Sequence, residues 1–288
     1  MAGLLENIVE KYNYVMNDLS DTRTKDLPLI SSPVPVIIVV IVYLKFCTDY
    51  GPRFMKNRKA FELKYPIMLY NIFQVLFSIF LVYEGLHYFA SDDYNFVCDP
   101  LTVKDDPRLT RTALNSWWYF FAKLTELLDT VFFVFRKKQR QISGLHLYHH
   151  SMVCIVSWTA TKFFPGGPII LVGVLNSSVH IMMYTYYLIA GLGPKYQKYL
   201  WWKKHVTLVQ LTQFVIIMTQ NTVALFHDCN YPKAVHVFLL GNVGLLFYMF
   251  SKFYYKTYIK VHSKKSEDTS TDIKESYARK GKRLSVGQ

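Results

Sequence analysis

The chain has 288 residues, of which 51% are hydrophobic, 17% aromatic and only 18% charged. That balance is too apolar for an ordinary soluble domain of this length, and it points to a polytopic membrane protein. The formal net charge of +13 would suit a nucleic-acid binder, but the basic residues fall in short runs between apolar stretches, so no nucleic acid is expected as a partner.

Apolar runs long enough to cross about 30 Å of hydrocarbon recur about seven times. They cover residues 34–50, 66–90, 114–135, 143–162, 168–191, 205–226 and 234–258. The expected fold class is an all-α polytopic membrane protein. The first 30 residues precede the first run. They lack a basic stretch leading directly into an apolar core and a small-residue cleavage site, so no cleaved signal peptide is expected. Lys and Arg concentrate in 51–65, 136–140, 193–204 and 252–288, which alternate with poorer segments. The positive-inside rule then places the N-terminus in the lumen or exterior and the C-terminus in the cytosol. The domain plan is a lumenal segment 1–30, a membrane domain 31–260 and a basic, Ser- and Thr-rich tail 261–288 of the kind that stays disordered.

Cys98 and Cys229 fall in loops on the lumenal side, where an oxidising compartment permits a disulfide, whereas Cys47 and Cys154 lie inside spans. Two free thiols are the alternative. The sequon Asn176-Ser177-Ser178 sits within a span and should stay unmodified.

Ionisable groups inside spans are costly and mark function by default. The third run holds Lys123, Glu126 and Asp129 in steps of three, one stripe of a helix suited to an internal ion-pair network. The fourth begins with "GLHLYHH", placing His146, His149 and His150 at i, i+3 and i+4, on one helical face. Three imidazoles together suit metal binding, acid–base work or nucleophilic attack. The fifth carries Asn176, His180, Tyr184 and Tyr187 in steps of four, four and three, with Tyr186 beside them. Interhelical hydrogen bonds alone are the plainer account of that set. The sixth opens with Lys203, Thr207 and Gln210 at i, i+4 and i+7, a cation leading inward to a hydroxyl and an amide.

The nine histidines are too scattered for a di-iron centre, and only His146, His149, His150 and His180 are credible together, enough at most for one zinc. Without metal, an imidazole can attack a thioester and form an acyl-imidazole.

Four motifs now stand in order: Lys123-x-x-Glu126-x-x-Asp129-Thr130, His146-x-x-His149-His150, Asn176-x-x-x-His180-x-x-Met183-Tyr184-x-Tyr186-Tyr187 and Thr207-x-x-Gln210-x-x-Gln213. Together they closely resemble the very-long-chain fatty acid elongases of animals, from about residue 31 to residue 258, including "GPRFMKNRKAFELK" and "GPKYQKYLWWKKH". The resemblance implies a 3-oxoacyl-CoA synthase in the endoplasmic reticulum membrane. Such an enzyme joins a long-chain acyl-CoA to malonyl-CoA, releases CO2 and CoA, and needs no cofactor or metal. It implies seven helices, six of them forming a barrel around a substrate tunnel, and partner enzymes that complete the elongation cycle.

On this reading Arg136, Lys138, Lys203 and Lys264 stay near the CoA phosphates. Lys123, Gln141, His146, Tyr186, Thr207 and Gln210 complete the substrate-binding set. His149 is the expected nucleophile and His180 its helper, while His146, His150 and Asn176 stabilise the malonyl-derived enolate. Cys154 is the rival nucleophile. A seven-span receptor or transporter and a mono-zinc membrane hydrolase are the competing classes.

Overall fold

In a computed structural model, residues 2–90, 94–96, 106–229 and 231–260 are described. Cys98, Lys264 and the tail 261–288 lie outside the described residues. Among those residues the secondary structure is helical, with no strand. The helices are α1 (Ala2–Asn13), α2 (Val34–Lys45), α3 (Gly51–Met55), α4 (Lys64–Phe89), α5 (Pro107–Glu126), α6 (Leu128–Phe135), α7 (Gly144–Phe163), α8 (Ile169–Leu192), α9 (Lys203–Leu225) and α10 (Lys233–Tyr254). Short π or 3-10 turns extend α1, α2 and α10 and bridge the loops before α7 and α9.

Among the described residues, five helical stretches are long and apolar enough to cross a membrane: Val34–Met55, Lys64–Phe89, Ile169–Leu192, Lys203–Leu225 and Lys233–Ile259. The chain is therefore an all-α polytopic membrane protein. The expected third and fourth spans are helical too, but they fall outside that set. Lys123, Glu126 and Asp129 interrupt one, and the histidine box and Lys162 the other. The third is also not one helix. It starts at Pro107, where the side chain of Asp106 accepts from Arg108 N as a cap, and it divides into α5 and α6 at Leu127. The Arg108 side chain, bonded to the same carboxyl, holds Asp106 below the usual aspartate pKa.

Pairwise packing closes a ring: α4 lies on α5, α5 on α7, α7 on α10, α10 on α9, α9 on α8, and α8 returns to α4. The α4–α8 seam is the tightest, because Gly85 has no side chain; a Cβ there would overlap Val174 Cγ2. Outside the ring, α2 packs on α7. Val36 and Val40 on its inner face are buried with Phe120, Cys154 and Trp158, while Ile37, Ile38, Ile41 and Val42 are exposed, as the lipid-facing side of a membrane helix must be.

Residues 19–33 form a strap across one end of the ring, and their backbone groups are satisfied by side chains of the helices beneath. Trp117 Nε1 donates to Pro28 O at 2.9 Å and Trp158 Nε1 to Leu29 O at 2.8 Å. Lys162, near the end of α7, is buried. Its ammonium donates to Ile30 O at 3.0 Å and Ser31 O at 3.3 Å. Leu29 turns through a positive φ of 67°, and the next residue, Ile30, is completely buried. The opposite end of the ring carries the histidine box at the start of α7.

Candidate active site

The ring is hollow. An internal cavity with about 1260 Å³ of empty space, part of it open to the outside, is lined by residues of α4, α5, α7, α8, α9 and α10. At the box end His149, Asn176 and Gln213 reach it. Along its length the wall is apolar, with Met152, Val153, Val156, Ile217, Val243 and Leu246. At the strap end it meets Glu84, Thr112 and Asn115.

Ser143 fixes the register of α7 by accepting from the His146 backbone N–H. The three box imidazoles share one broad arc of α7 but meet different neighbours. His149 lines the cavity. His146 turns toward α6, its Nε2 2.8 Å from Thr130 Oγ1, which lies 2.7 Å from Tyr43 Oη on α2. His150 is buried between them, its ring centroid 4.3 Å from that of His146 and 5.3 Å from that of His149. The 100° step per residue, which groups 146, 149 and 150 loosely, also splits 149 from 150 when neighbours differ. Cys154 does follow His150 around the helix. It is completely buried against Ile30, Val40 and Phe120 and is absent from the cavity wall.

Beneath the box lies a buried polar network. Lys123 Nζ donates to Glu126 Oε1 at 2.7 Å and to Asn176 Oδ1 at 2.6 Å. Tyr119 Oη donates to the same Asn176 oxygen at 3.0 Å. His180 Nδ1 is 2.9 Å from Glu126 Oε1, yet it is out of line for a hydrogen bond and has no other partner. Contact distance and bond geometry disagree here, and we take the pair as an electrostatic contact only. Asp129 accepts from Tyr184 Oη at 2.7 Å. Both carboxylates and the ammonium are buried, so their mutual pairing is what makes the burial tolerable. Lys123 thus faces Glu126 and Asn176. Asn176, with its oxygen engaged by two donors, also borders the cavity beside His149.

The remaining expected residues spread around the box end. Arg136, Lys138, Gln141 and Lys203 are exposed. Thr207 is buried and Gln210 half-buried on α9, and Gln213, one turn farther in, is the one of these three on the cavity wall. Its Oε1 is buried without a partner, which leaves an acceptor aimed at whatever enters. Tyr186 packs edge-on against Trp202, with ring centroids 5.4 Å apart. Cys229 is disulfide-bonded, whereas Cys47 and Cys154 are free and buried. Among the described residues no group of three His, Cys, Asp or Glu side chains is arranged to hold a metal ion.

Two polar clusters escaped the sequence reading. Glu84 takes both Arg111 Nε and Nη2 at 2.7 Å and Asn115 Nδ2 at 2.7 Å. His236 Nδ1 lies 2.8 Å from Asn221 Oδ1, joining α10 to α9. The cost of an ionisable group inside a span would have flagged Glu84.

The GNS1/SUR4 (ELO) family matches residues 28–266. A very long chain fatty acid elongase of Aedes aegypti is 44% identical over 258 residues, 89% of this chain and 72% of that protein. Very long chain fatty acid elongase 7 of Drosophila melanogaster is 43% identical over 85% of this chain and 75% of its own. The Rattus norvegicus elongase 7 is 40% identical over 90% and 92%. A family match that spans most of the chain and relatives 40–44% identical over 85–90% of it lead to one assignment: this chain belongs to the ELO family, together with the very long chain fatty acid elongases.

Proposed function

We infer that this protein is the condensing enzyme of very-long-chain fatty acid elongation, a 3-oxoacyl-CoA synthase of the endoplasmic reticulum membrane. With α5 and α6 taken as one crossing and α7 as another, it spans seven times, N-terminus in the lumen and C-terminus in the cytosol. The observation that carries this reading is His149, the member of the box that borders a long, largely apolar cavity lined by six helices.

The chemistry follows from that placement. His149 attacks the thioester carbon of an acyl-CoA, the acyl chain lying along the apolar wall. The C–S bond breaks, CoA leaves as the thiol after taking a proton, and the acyl group rests on the imidazole. Malonyl-CoA then loses CO2. Its enolate carbon attacks the acyl carbon and expels the imidazole, giving a 3-oxoacyl-CoA two carbons longer. Asn176, whose oxygen is pinned by Lys123 and Tyr119, turns its amide N–H2 toward the developing oxyanion, a role for a preorganised donor. His180 tunes the network from Glu126. His146 and His150 hold the box in place from the side facing α6. CoA stays at the cytosolic mouth, its phosphates beside Arg136, Lys138, Lys203 and Lys264, because a polyanion does not enter hydrocarbon. Gln141, Tyr186, Thr207 and Gln210 line its approach. The enzymes that reduce and dehydrate the 3-oxo product are the implied partners.

Microsomes bearing the wild type or His149→Ala, given labelled malonyl-CoA and a panel of acyl-CoAs, test this. Label should enter a product two carbons longer with the wild type only. CoA should appear before malonyl-CoA is added, in stoichiometric amount. Absence of label from the wild type across the panel would remove the function. A strictly sequential rate law would remove the acyl-imidazole while keeping the condensation.

A further inference from the structure

We propose that α1 is a membrane-surface helix that lies in the interface of the leaflet at the strap end, its apolar face against lipid. The segment lies before the family match, which starts at residue 28.

The sequence of α1 divides cleanly. At 100° per residue, Leu4, Leu5, Ile8, Val9 and Tyr12 fall within an arc of about 140°, while Glu6, Asn7, Glu10, Lys11 and Asn13 fill the other side. In a water-soluble fold such an arc would turn inward. Here Leu4 is 69% exposed, Leu5 65% and Ile8 55%. They are at least as exposed as Ile38 and Ile41 on the outer face of the membrane-spanning α2, at 54% each.

Two contacts say where the arc points. Tyr12, in its middle, brings its Oη to 3.4 Å from Ser32 Oγ, two residues before α2 enters its span at Val34. Met16, just beyond α1, packs against the cluster formed by Ile30, Val36 and Val40. Tyr12 and Met16 thus hold α1 beside the first turn of α2, the helix whose outer residues Ile38 and Ile41 are exposed. The polar arc carries Glu6, Glu10 and Lys11, nearly balanced in charge. Adhesion thus depends on apolar burial rather than on anionic headgroups, and zwitterionic lipid suffices.

The test uses the full-length protein in nanodiscs of phosphatidylcholine, with a photoreactive diazirine amino acid placed singly at Leu5, Ile8, Glu6 or Glu10. After illumination, intact mass analysis should show phospholipid adducts at Leu5 and Ile8 and none above background at Glu6 and Glu10. Cross-linked dimers from the apolar positions would overturn the proposal in favour of a second copy of this chain. Equal adducts on both arcs, or none on either, would overturn it as well. Full-length protein carrying Ile8→Asp and Val9→Asp, with the probe at Leu5, supplies the second arm: adduct yield should fall to background while the protein remains folded by size-exclusion profile. An undiminished yield would sink the idea.

Discussion

An ammonium and a carboxylate buried together are held there by each other, so removing one leaves the other uncompensated. Lys123 meets Glu126 at 2.7 Å with both side chains almost fully enclosed. Lys123→Met should therefore cost about 3–5 kcal/mol and show as a collapse of the monodisperse fraction in detergent. Lys123→Met combined with Glu126→Leu should recover much of it, because the orphaned charge is gone, although Asn176 would keep only its Tyr119 bond and activity would be low. Equal losses in the single and double variants would show that the two residues are not coupled. The same scale separates the two candidate nucleophiles. Cys154 packs against α2 and α5 and is absent from the cavity wall, so Cys154→Ala should keep condensation activity in the microsomal assay that His149→Ala abolishes. An inactive Cys154→Ala beside an active His149→Ala would reverse the assignment. The residues of this network were legible in the sequence because charge inside a span stands out. Which imidazole faces the cavity was not, since 146, 149 and 150 share a broad arc and only the neighbours of α7 decide what each meets.

Helix pairing turns on close approach, and the α4–α8 seam depends on Gly85. A methyl group there would press on Val174 Cγ2, and overpacking of this kind costs about 1–3 kcal/mol. Gly85→Ala should lower the Tm in detergent, and Gly85→Ala with Val174→Ala should restore most of it; an unchanged Tm in the single variant would mean that the seam relaxes freely. At this scale the apolar runs located five helices within a few residues of their ends, for instance 168–191 against Ile169–Leu192, because about 20 continuous apolar residues have no other stable solution in this composition. The break between α5 and α6 carries neither Pro nor Gly and left no local mark. α1 also escaped notice: its apolar residues alternate with polar ones at helical period, and a search for continuous runs passes over such a pattern.

For the molecule as a whole, the ring of six helices encloses a cavity of limited depth. From His149 to Thr161 along α7 the rise is about 18 Å, and the wall between them is apolar until it meets Glu84, held by Arg111 and Asn115. A methyl end pushed into that cluster would strip a carboxylate of its partners without replacing them, which is unfavourable. If the proposed condensation takes place in this cavity, the cluster should act as its depth stop. Arg111 is 45% exposed, so it can turn to water when Glu84 is removed, and the fold should survive. Glu84→Leu should then shift the products toward longer chains, each further buried CH2 contributing about 0.8 kcal/mol, or roughly fourfold in binding. Mass analysis of acyl chains after incubation with malonyl-CoA and a saturated acyl-CoA series reads this directly. A lower total yield with an unchanged length distribution would leave Glu84 as packing support for α4 and α5, and the limit on chain length would have to lie elsewhere in the wall.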